Sequence, residues 1–439
     1  MQHPMLFVRL LALICLALPL HGVADSTLPP SRPGVDAPEL AALGAQPVGV
    51  RTLSLRQPGQ AKVLGWTPGK GPVPRETREL VVDLWYPAAS VRGEPENYSA
   101  ALDAEPPNPP AHFTVPGIAH RDAPRLPGAH PLVVVSHGYG NVSAGYTWLG
   151  ENLASKGYVV AVIRHVDPPI ADRRGFPEVL LRRPLDIAFV AAELRGPLAA
   201  ENGIDPARVA LVGYSMGGYG VLTAGGGSLD PQSPLAALVP GAAILPYARG
   251  GAEQAAARVE GVRAVVAISP AGGSLSAWGS DGLGTLRAPL LLISGDRDQT
   301  VDHASGAKAF FDAAKNAPRH LLTYLGGGHA LGMGPAPREM RDSLWNLDWF
   351  EDPVWRKDRI IGINLHFITA FLDRHLKDDA SREAYLAVAV ERSSEGKWPE
   401  PEKTAWSAYS PGTAPITVWK GFQRRHAEGL LLQYRAAGG

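Results

Sequence analysis

A serine, an aspartate and a histidine follow one another along the sequence at positions where their side chains could together perform nucleophilic chemistry. Ser215 stands in the pentapeptide G-Y-S-M-G at 213–217, whose two glycines let neighbouring backbone approach a sharp turn. A serine hydroxyl is a weak nucleophile and needs a base that takes its proton and a carboxylate that orients the base. Our candidates are His329 as the base and Asp298 as the acid, both C-terminal to the serine.

Two carboxylates compete for the acid role in the segment G-D-R-D-Q-T-V at 295–301. We prefer Asp298 and interpret Asp296 as a turn residue or an ion-pair partner of Arg297. The alternative is a structural role, because aspartates often accept hydrogen bonds from the first amides of a helix. In that case Asp298 or Asp302 would cap the helix that we predict next.

The base is chosen among several histidines by its position. His329 follows three glycines that leave room for its imidazole to reach back over a sheet edge. His320 begins the preceding apolar run, His303 lies near a helix start, and His366 lies in a later helix where we expect a packed role. The alternative for His329 is an exposed loop histidine.

A tetrahedral oxyanion needs N–H donors aimed at the developing charge. We assign one donor to the amide of Met216, which begins the helix after the nucleophile, where the helix dipole favours negative charge. The other is the amide of Tyr139 in H-G-Y-G at 137–140. His137 is interpreted as a structural histidine that holds this loop. Residues expected to line the substrate site are Tyr139, Tyr214, Thr300 and Val301.

The elements that must position these groups follow from the apolar pattern. The runs at 52–55 and 79–86 predict strands, and the second, which alternates partly and ends at Pro87, is typical of an early edge or antiparallel strand. Later apolar runs are typical of buried parallel strands and lie at 131–136, 158–164, 209–212, 262–269, 289–294 and 320–324. Helical spacing is found at 147–155, 183–194, 302–314 and 360–376. This alternation predicts a mostly parallel sheet with helices on both faces.

The chain of 439 residues is divided into a signal peptide, a flexible leader, a core domain and a C-terminal extension, at 1–24, 25–47, 48–376 and 377–439. Two insertions interrupt the core. The stretch 225–261 is a candidate cap or rim, and 330–357 carries aromatic residues that would form either an apolar wall or core, namely Trp345, Trp349, Phe350 and Trp355. A proline-rich loop, 98–131, is expected to border a binding site.

Charge and targeting signals bound the partners and the compartment. Lys plus Arg and Asp plus Glu both number 42, which does not favour nucleic acid or an anionic membrane surface as partner. Arg9, the apolar stretch 10–20 and the small residues ending at Ala24 predict an export signal, and hence a secreted or periplasmic protein. An uncleaved N-terminal anchor is the alternative. The only cysteine, Cys15, lies inside this signal, so the mature chain would have no disulfide and no thiolate nucleophile.

The motifs H-G-Y-G, G-Y-S-M-G-G, G-D-R-D-Q-T-V and G-G-G-H resemble those of the α/β-hydrolase superfamily. The closer resemblance is to exported bacterial proteins called predicted dienelactone hydrolases, which are related to platelet-activating-factor acetylhydrolases and polyester-cleaving cutinase-like enzymes. It covers 48–376 and includes the segment E-L-V-V-D-L-W-Y-P-A at 79–88. It implies an α/β-hydrolase fold, with cap-like insertions, and serine esterase chemistry.

The sequence departs from this group in two ways. True dienelactone hydrolases use a cysteine, so that label is not taken as the substrate. Plasma-type acetylhydrolases take their acid from the loop after an earlier strand, which here reads S-P-A-G at 269–272 without a carboxylate. This difference favours Asp298 as the acid.

The resulting hypothesis is a carboxylic-ester hydrolase that forms an acyl-enzyme on Ser215 and needs no metal or cofactor. The tripeptide H-V-D at 165–167 has metal-binding side chains but no matching ligand set, and is interpreted as loop structure. The substrate would be a small-molecule, lipid or polymer ester. Two alternatives stay open: an amidase or peptidase with the same residues, and a non-catalytic binding protein on this scaffold.

Overall fold

Ten strands form one central sheet in the computed structural model, which describes residues 29–401 and 410–439. The strands of the described chain are β1 Val48–Ala61, β2 Arg75–Pro87, β3 Asn97–Leu102, β4 Ala111–Pro116, β5 His120–Arg121, β6 His130–Ser136, β7 Val159–Arg164, β8 Ile204–Tyr214, β9 Val262–Ile268, β10 Leu290–Gly295, β11 Arg319–Tyr324 and β12 Leu430–Arg435. Their order across the sheet is β12-β11-β10-β9-β8-β6-β7-β2-β1-β5, and β3 and β4 pair separately.

The α-helices flank this sheet. They are α1 Thr147–Ser155, α2 Phe176–Arg195, α3 Ala199–Asn202, α4 Met216–Ala224, α5 Pro234–Leu238, α6 Ala309–Ala313, α7 Leu344–Asp348, α8 Lys357–Leu376 and α9 Glu383–Leu386. None of the helices in the described part of the chain is long and apolar enough to cross a membrane.

The six strands from β6 to β11 run parallel to one another, as the apolar runs predicted. Only their outer neighbours, β12 beside β11 and β2 beside β7, are antiparallel to them. They are buried on both faces: all side chains from Leu132 to Val135 are fully inaccessible, which explains why these strands lack alternation. One face packs against α1 and α8, and the other packs against α2, α4 and α6. The predicted α/β-hydrolase fold, a mostly parallel sheet between helices, is thereby confirmed.

The first two long strands are antiparallel, and of the two alternatives for β2, edge or antiparallel strand, the structure shows the second. It lies between β7 and β1 and pairs with both in antiparallel register. The predicted helix at 302–314 is regular only over α6, because the backbone of Gly306 is non-helical (φ −96°, ψ −115°).

Two segments expected to lie outside the core are part of it. The end of the C-terminal extension forms β12, which pairs antiparallel with β11 and buries Leu430 and Leu432. Residues 29–47 of the leader, expected to be flexible, are instead packed: the Ser31 hydroxyl donates to the buried carboxylate of Glu151 at 2.7 Å. These contacts join residues more than 100 positions apart, which local composition does not reveal.

The proline-rich stretch 98–131, predicted as a loop, contains the hairpin of β3 and β4. The hairpin is attached to α1, since the Tyr98 hydroxyl donates to Glu151 at 2.9 Å and accepts from the Trp85 indole at 2.8 Å. The insertion 225–261 carries α5 and packs its buried Leu235 and Ile244 against the α2 and α4 face.

His366 lies in α8 and has the packed role expected from the sequence. Its Nδ1 accepts the Leu40 amide at 3.2 Å, and the rings of Phe367, Tyr385 and Phe422 surround it. Burial, with a smaller effect from Lys156, lowers the pKa of His366 to about 3.

This histidine should make stability depend on pH. An unfolded histidine has a pKa of about 6.5, so between pH 6.5 and about 3 the unfolded state binds a proton that native His366 does not. As the pH is lowered through this range, the free energy of unfolding therefore falls by up to about 1.4 kcal/mol per pH unit. In His366→Asn, the amide oxygen can still accept the hydrogen bond from the Leu40 amide, but the side chain at position 366 no longer titrates. The free energy of unfolding, measured in urea from pH 7 to pH 4, should therefore depend less steeply on pH in the variant than in the parent.

The buried His137 and His320, whose pKa values are lowered to about 4 by burial, titrate in both proteins. The difference in slope therefore reports His366 alone. Equal slopes in the two proteins would contradict the prediction.

Candidate active site

The nucleophile candidate stands at a sharp turn between β8 and α4. Strand β8 ends at Tyr214, Ser215 has φ +53° and ψ −114°, and α4 begins at Met216. A positive φ is unfavourable for a residue with a side chain and is held only where the surroundings impose it. This strand–turn–helix geometry is the elbow that the pentapeptide predicted.

Two glycines make the turn possible because neighbouring backbone leaves no space for a side chain. A Cβ on Gly213 would lie 2.2 Å from the carbonyl oxygen of Gly217, and a Cβ on Gly217 would lie 2.0 Å from that of Ser136. Both distances are far below any real contact. The glycines at 213 and 217 are therefore required by packing as well as by the turn.

The structure brings the three candidate side chains into one hydrogen-bonded chain. His329 Nε2 lies 3.0 Å from Ser215 Oγ, and His329 Nδ1 lies 2.8 Å from Asp298 Oδ2. Asp298 follows β10 and His329 follows β11, so all three stand at the carboxyl ends of parallel strands. Since Asp298 accepts a hydrogen bond from Nδ1–H, the ring proton stays on Nδ1 and Nε2 is free to accept the proton of the serine hydroxyl.

The Asp298 side chain is fully buried and its second oxygen, Oδ1, accepts the amides of Thr300 and Val301 at 2.9 and 3.0 Å. Burial acts to raise the pKa of Asp298, but the hydrogen bond and charge of His329, with the two amides, outweigh it and lower the pKa below its ordinary value. No helix begins at these amides, so Asp298 is not the N-cap that the sequence left open.

The competing carboxylate has the turn role expected of it. Asp296 Oδ1 accepts the amide of Gly326 at 2.6 Å and thereby ties the acid loop to the histidine loop. Asp302 accepts the amide and hydroxyl of Ser305, both at 2.7 Å, on the exposed side of the same loop.

The histidine loop has two supports that sequence reasoning missed. The Tyr214 hydroxyl donates to the carbonyl of His329 at 3.2 Å, with ring centroids 5.2 Å apart, so this tyrosine supports the base in addition to lining the site. Asp352 Oδ2 accepts the Gly328 amide at 2.6 Å. Nothing in the local sequence marks Asp352, which lies in the insertion 330–357 and follows His329 by more than 20 residues.

Both residues assigned as oxyanion donors lie beside the nucleophile. Met216 begins α4, and Tyr139 lies in the loop after β6. This loop approaches the elbow closely, since a Cβ on Gly138 would lie 3.3 Å from the Cβ of Ser215.

A cavity of about 480 Å³ opens in front of Ser215. Its lining is mainly apolar and aromatic, and includes the predicted Tyr139, Tyr214, Thr300 and Val301 together with Ile170, Phe176, Leu180, Leu275, Trp345 and Trp349. The residues at 170–180, from the start of α2 and the loop before it, carried no sequence signal. The cavity is large enough for the acyl or alcohol part of an ester.

The aromatic residues of the second insertion divide into wall and core. Trp345 and Trp349 line the cavity, and the Trp345 indole donates to the carbonyl of Asp103 at 2.9 Å. Phe350 and Trp355 are buried in the core. The first insertion, 225–261, all of which the structure describes, supplies no residue to the lining of this cavity, and its apolar side chains pack against the α2 and α4 face. Its role as a cap or rim stays a prediction.

Comparisons with known proteins agree with this geometry. A family model described as PET hydrolase-like matches residues 126–245, a segment that contains Tyr139 and Ser215 and ends before Asp298. Over 102 residues, the chain is 34% identical to the cutinase est2 of Thermobifida alba, covering 23% of this chain and 31% of the relative. It is 35% identical over 102 residues to the cutinase cut1 of Thermobifida fusca, covering 23% and 29%.

The chain thus spans about a third of the length of the curated relatives that it matches. A solved ferulic acid esterase from Streptomyces cinnamoneus has a TM-score of 0.49 and 24% identity, covering 78% of this chain and 94% of that chain. The nearer relation to exported dienelactone-hydrolase-like proteins stays a prediction. The strand order and the elbow after β8 give the chain the α/β-hydrolase fold, and residues 126–245 are similar to the PET hydrolase-like family.

Proposed function

We propose that the protein is a serine hydrolase of carboxylic esters. The observation that carries this proposal is the continuous hydrogen-bonded chain from Ser215 through His329, which both line the cavity, to the buried Asp298. The similarity of part of the chain to cutinases and to a PET hydrolase-like family supports ester chemistry.

The reaction begins when His329 Nε2 takes the proton of Ser215 as its oxygen attacks the ester carbonyl. The tetrahedral oxyanion accepts hydrogen bonds from the amides of Met216 and Tyr139. His329 then gives the proton to the leaving alcohol, and an acyl-enzyme remains on Ser215. A water molecule, deprotonated by the same imidazole, hydrolyses this intermediate and regenerates the serine.

Asp298 orients the His329 imidazole throughout this cycle. With its pKa below the ordinary value, it stays ionised at neutral and mildly acidic pH. Its carboxylate holds the proton of His329 on Nδ1 and stabilises the imidazolium formed during attack. The amides of Thr300 and Val301 fix the carboxylate in the plane needed for this bond.

The cavity supports an apolar group on the substrate. The aromatic pair Tyr139 and Phe176, with ring centroids 6.0 Å apart, forms part of one wall. Trp345 in α7 and Trp349, which directly follows α7, form another. Small-molecule, lipid and polymer esters can all carry an apolar group beside the ester bond. The export signal at 1–24, which lies outside the described residues, would place the reaction in the periplasm or outside the cell.

Replacing the nucleophile should abolish turnover without unfolding the protein. In Ser215→Ala, kcat for a p-nitrophenyl acyl ester should fall on the order of a million-fold, with an unchanged circular dichroism spectrum. The exposed Ser54→Ala on β1 is the matched control. Turnover of matched p-nitroanilides above that of the esters would favour an amidase, and unaltered ester turnover in Ser215→Ala would contradict the proposal.

The two aspartates of the acid loop provide a matched pair. Asp298→Asn should lower kcat by on the order of 10⁴-fold, because an amide no longer stabilises the correct tautomer of His329. Asp296→Asn should stay within a few-fold of the parent, since Asp296 only accepts a backbone amide. Steady-state kinetics on one ester measures both, and equal losses in the two variants would remove Asp298 from the acid role.

The wall formed by Trp345 and Trp349 should control the size of the acyl group that the site accepts. Trp349→Ala removes apolar contact worth about 2 kcal/mol, so kcat/KM for the best parental substrate should fall roughly 30-fold and the optimum in a C2–C12 series should move to longer chains. Val354→Ala, at an exposed position of the same insertion, is the control. An unchanged chain-length profile in Trp349→Ala would show that this wall does not touch the acyl group.

A further inference from the structure

The loop after β6, H-G-Y-G at 137–140, carries the proposed donor Tyr139 and is called the oxyanion loop below. His137, whose imidazole lies beneath this loop, is 1% exposed. Its Nε2 accepts the amide of His165 at 3.2 Å, which places the ring proton on Nδ1. Nδ1 therefore donates to the carbonyl oxygen of Gly138, at 2.7 Å. Burial, followed by the charge of Arg183, lowers the pKa of His137 to about 4, so the ring is neutral at working pH and can hold both bonds.

The bond to Gly138 acts on the proposed oxyanion donor directly. The carbonyl of Gly138 and the amide N–H of Tyr139 belong to one planar peptide unit, in which the oxygen and the hydrogen point in opposite directions. When the imidazole fixes the oxygen, it also fixes the direction of the N–H. We propose that His137 is a positioning residue that aims the Tyr139 amide at the oxyanion, an inference that rests on the proposed ester hydrolysis.

The imidazole is itself held by a buried polar cluster. The ring of His165 packs edge-on against it, with centroids 4.9 Å apart. His165 Nδ1 lies 2.8 Å from Asp186 Oδ2, and the same carboxylate accepts two hydrogen bonds, at 2.9 and 3.0 Å, from Arg78. His165 Nε2 accepts the hydroxyl of the fully buried Ser136 at 2.9 Å. The tripeptide H-V-D at 165–167 therefore holds the oxyanion loop in place through His165.

The next peptide unit, between Tyr139 and Gly140, is hydrogen-bonded to the same tripeptide. The Gly140 amide donates to Asp167 Oδ2 at 3.3 Å, and Asp167 forms a 2.7 Å ion pair with the buried Arg183. The Gly138 amide also faces the Tyr146 hydroxyl at 3.4 Å. The residues on both sides of Tyr139 are therefore fixed from beneath. The Gly138 carbonyl accepts the Asn141 amide at 3.2 Å as well as the shorter, 2.7 Å bond from His137, which is the side-chain bond to the peptide that carries the donor.

Two amide substitutions separate the two bonds of the ring. In His137→Asn the amide nitrogen takes the position of Nδ1 and can still donate to Gly138. In His137→Gln the amide reaches the position of Nε2, so it can accept from His165 but no longer holds the Gly138 carbonyl. Both variants are polar and neutral, so they disturb the buried site to a similar degree. Each is compared with the parent in the full mature chain, with kcat normalised to the folded fraction from thermal unfolding.

We expect His137→Gln to lower kcat about a hundredfold, the loss typical of one oxyanion donor, with KM nearly unchanged, and His137→Asn to stay within tenfold of the parent. Affinity for a trifluoromethyl ketone, which forms the tetrahedral oxyanion, should fall in parallel with kcat/KM in His137→Gln. Affinity for a non-hydrolysable ether analogue of the substrate should not fall. His137→Phe, which keeps the ring but has no donor, should behave as His137→Gln.

Equal kcat values for His137→Asn and His137→Gln, or undiminished ketone affinity in His137→Gln, would overturn the positioning role. Failure of the proposed function has a different signature, because the parent would then lack ester turnover or Ser215→Ala would retain it. If His137→Gln and His137→Phe both fail to fold while His137→Asn folds with parental kcat, the bond to Gly138 is needed for folding and the positioning role is overturned.

Discussion

Ser215 holds a backbone conformation that an isolated serine would avoid, and the geometry of the whole site depends on that conformation being kept. A positive φ at a residue with a side chain costs on the order of 1–3 kcal/mol. Strand β9 and the loop after it offset that cost, since the Ser215 amide donates to Ile268 at 2.9 Å and the Ser215 carbonyl accepts from Ala271 at 2.9 Å. The hydroxyl is thereby held at the sheet edge, where His329 reaches it.

The loops around the elbow are connected to one another rather than resting separately on their strands. Asp296 binds the Gly326 amide, and the Arg297 amide donates to Gly327 at 2.9 Å, so the acid and histidine loops form one unit. Asp352 then ties this unit to the second insertion through Gly328. Rigid support of this kind keeps reacting groups at hydrogen-bond distance, which is where most of the advantage of positioning arises.

How much of this could be predicted from the sequence depended on how local the signal was. The parallel strands, the elbow and the pairing of Ser215 with His329 and Asp298 were accessible, because each residue follows its own apolar run and glycines mark two of the turns. The packed leader and β12 were missed, since the partners that order them lie far away in the chain. The hairpin of β3 and β4 pairs locally, but the prolines of this stretch favoured a loop. Asp352 and the cavity wall at 170–180 were missed for the same reason: only tertiary contacts bring them to the site.

The central claim is that His329 activates Ser215 for nucleophilic attack, and covalent labelling tests it most directly. The purified protein is treated with a fluorophosphonate, and the adduct is located by intact mass and peptide mass spectrometry. We predict one phosphonyl group, on the peptide that contains Ser215, and a labelling rate at least a thousandfold lower in His329→Ala. An adduct on another residue, no adduct at all, or equal rates with and without the imidazole would contradict the account.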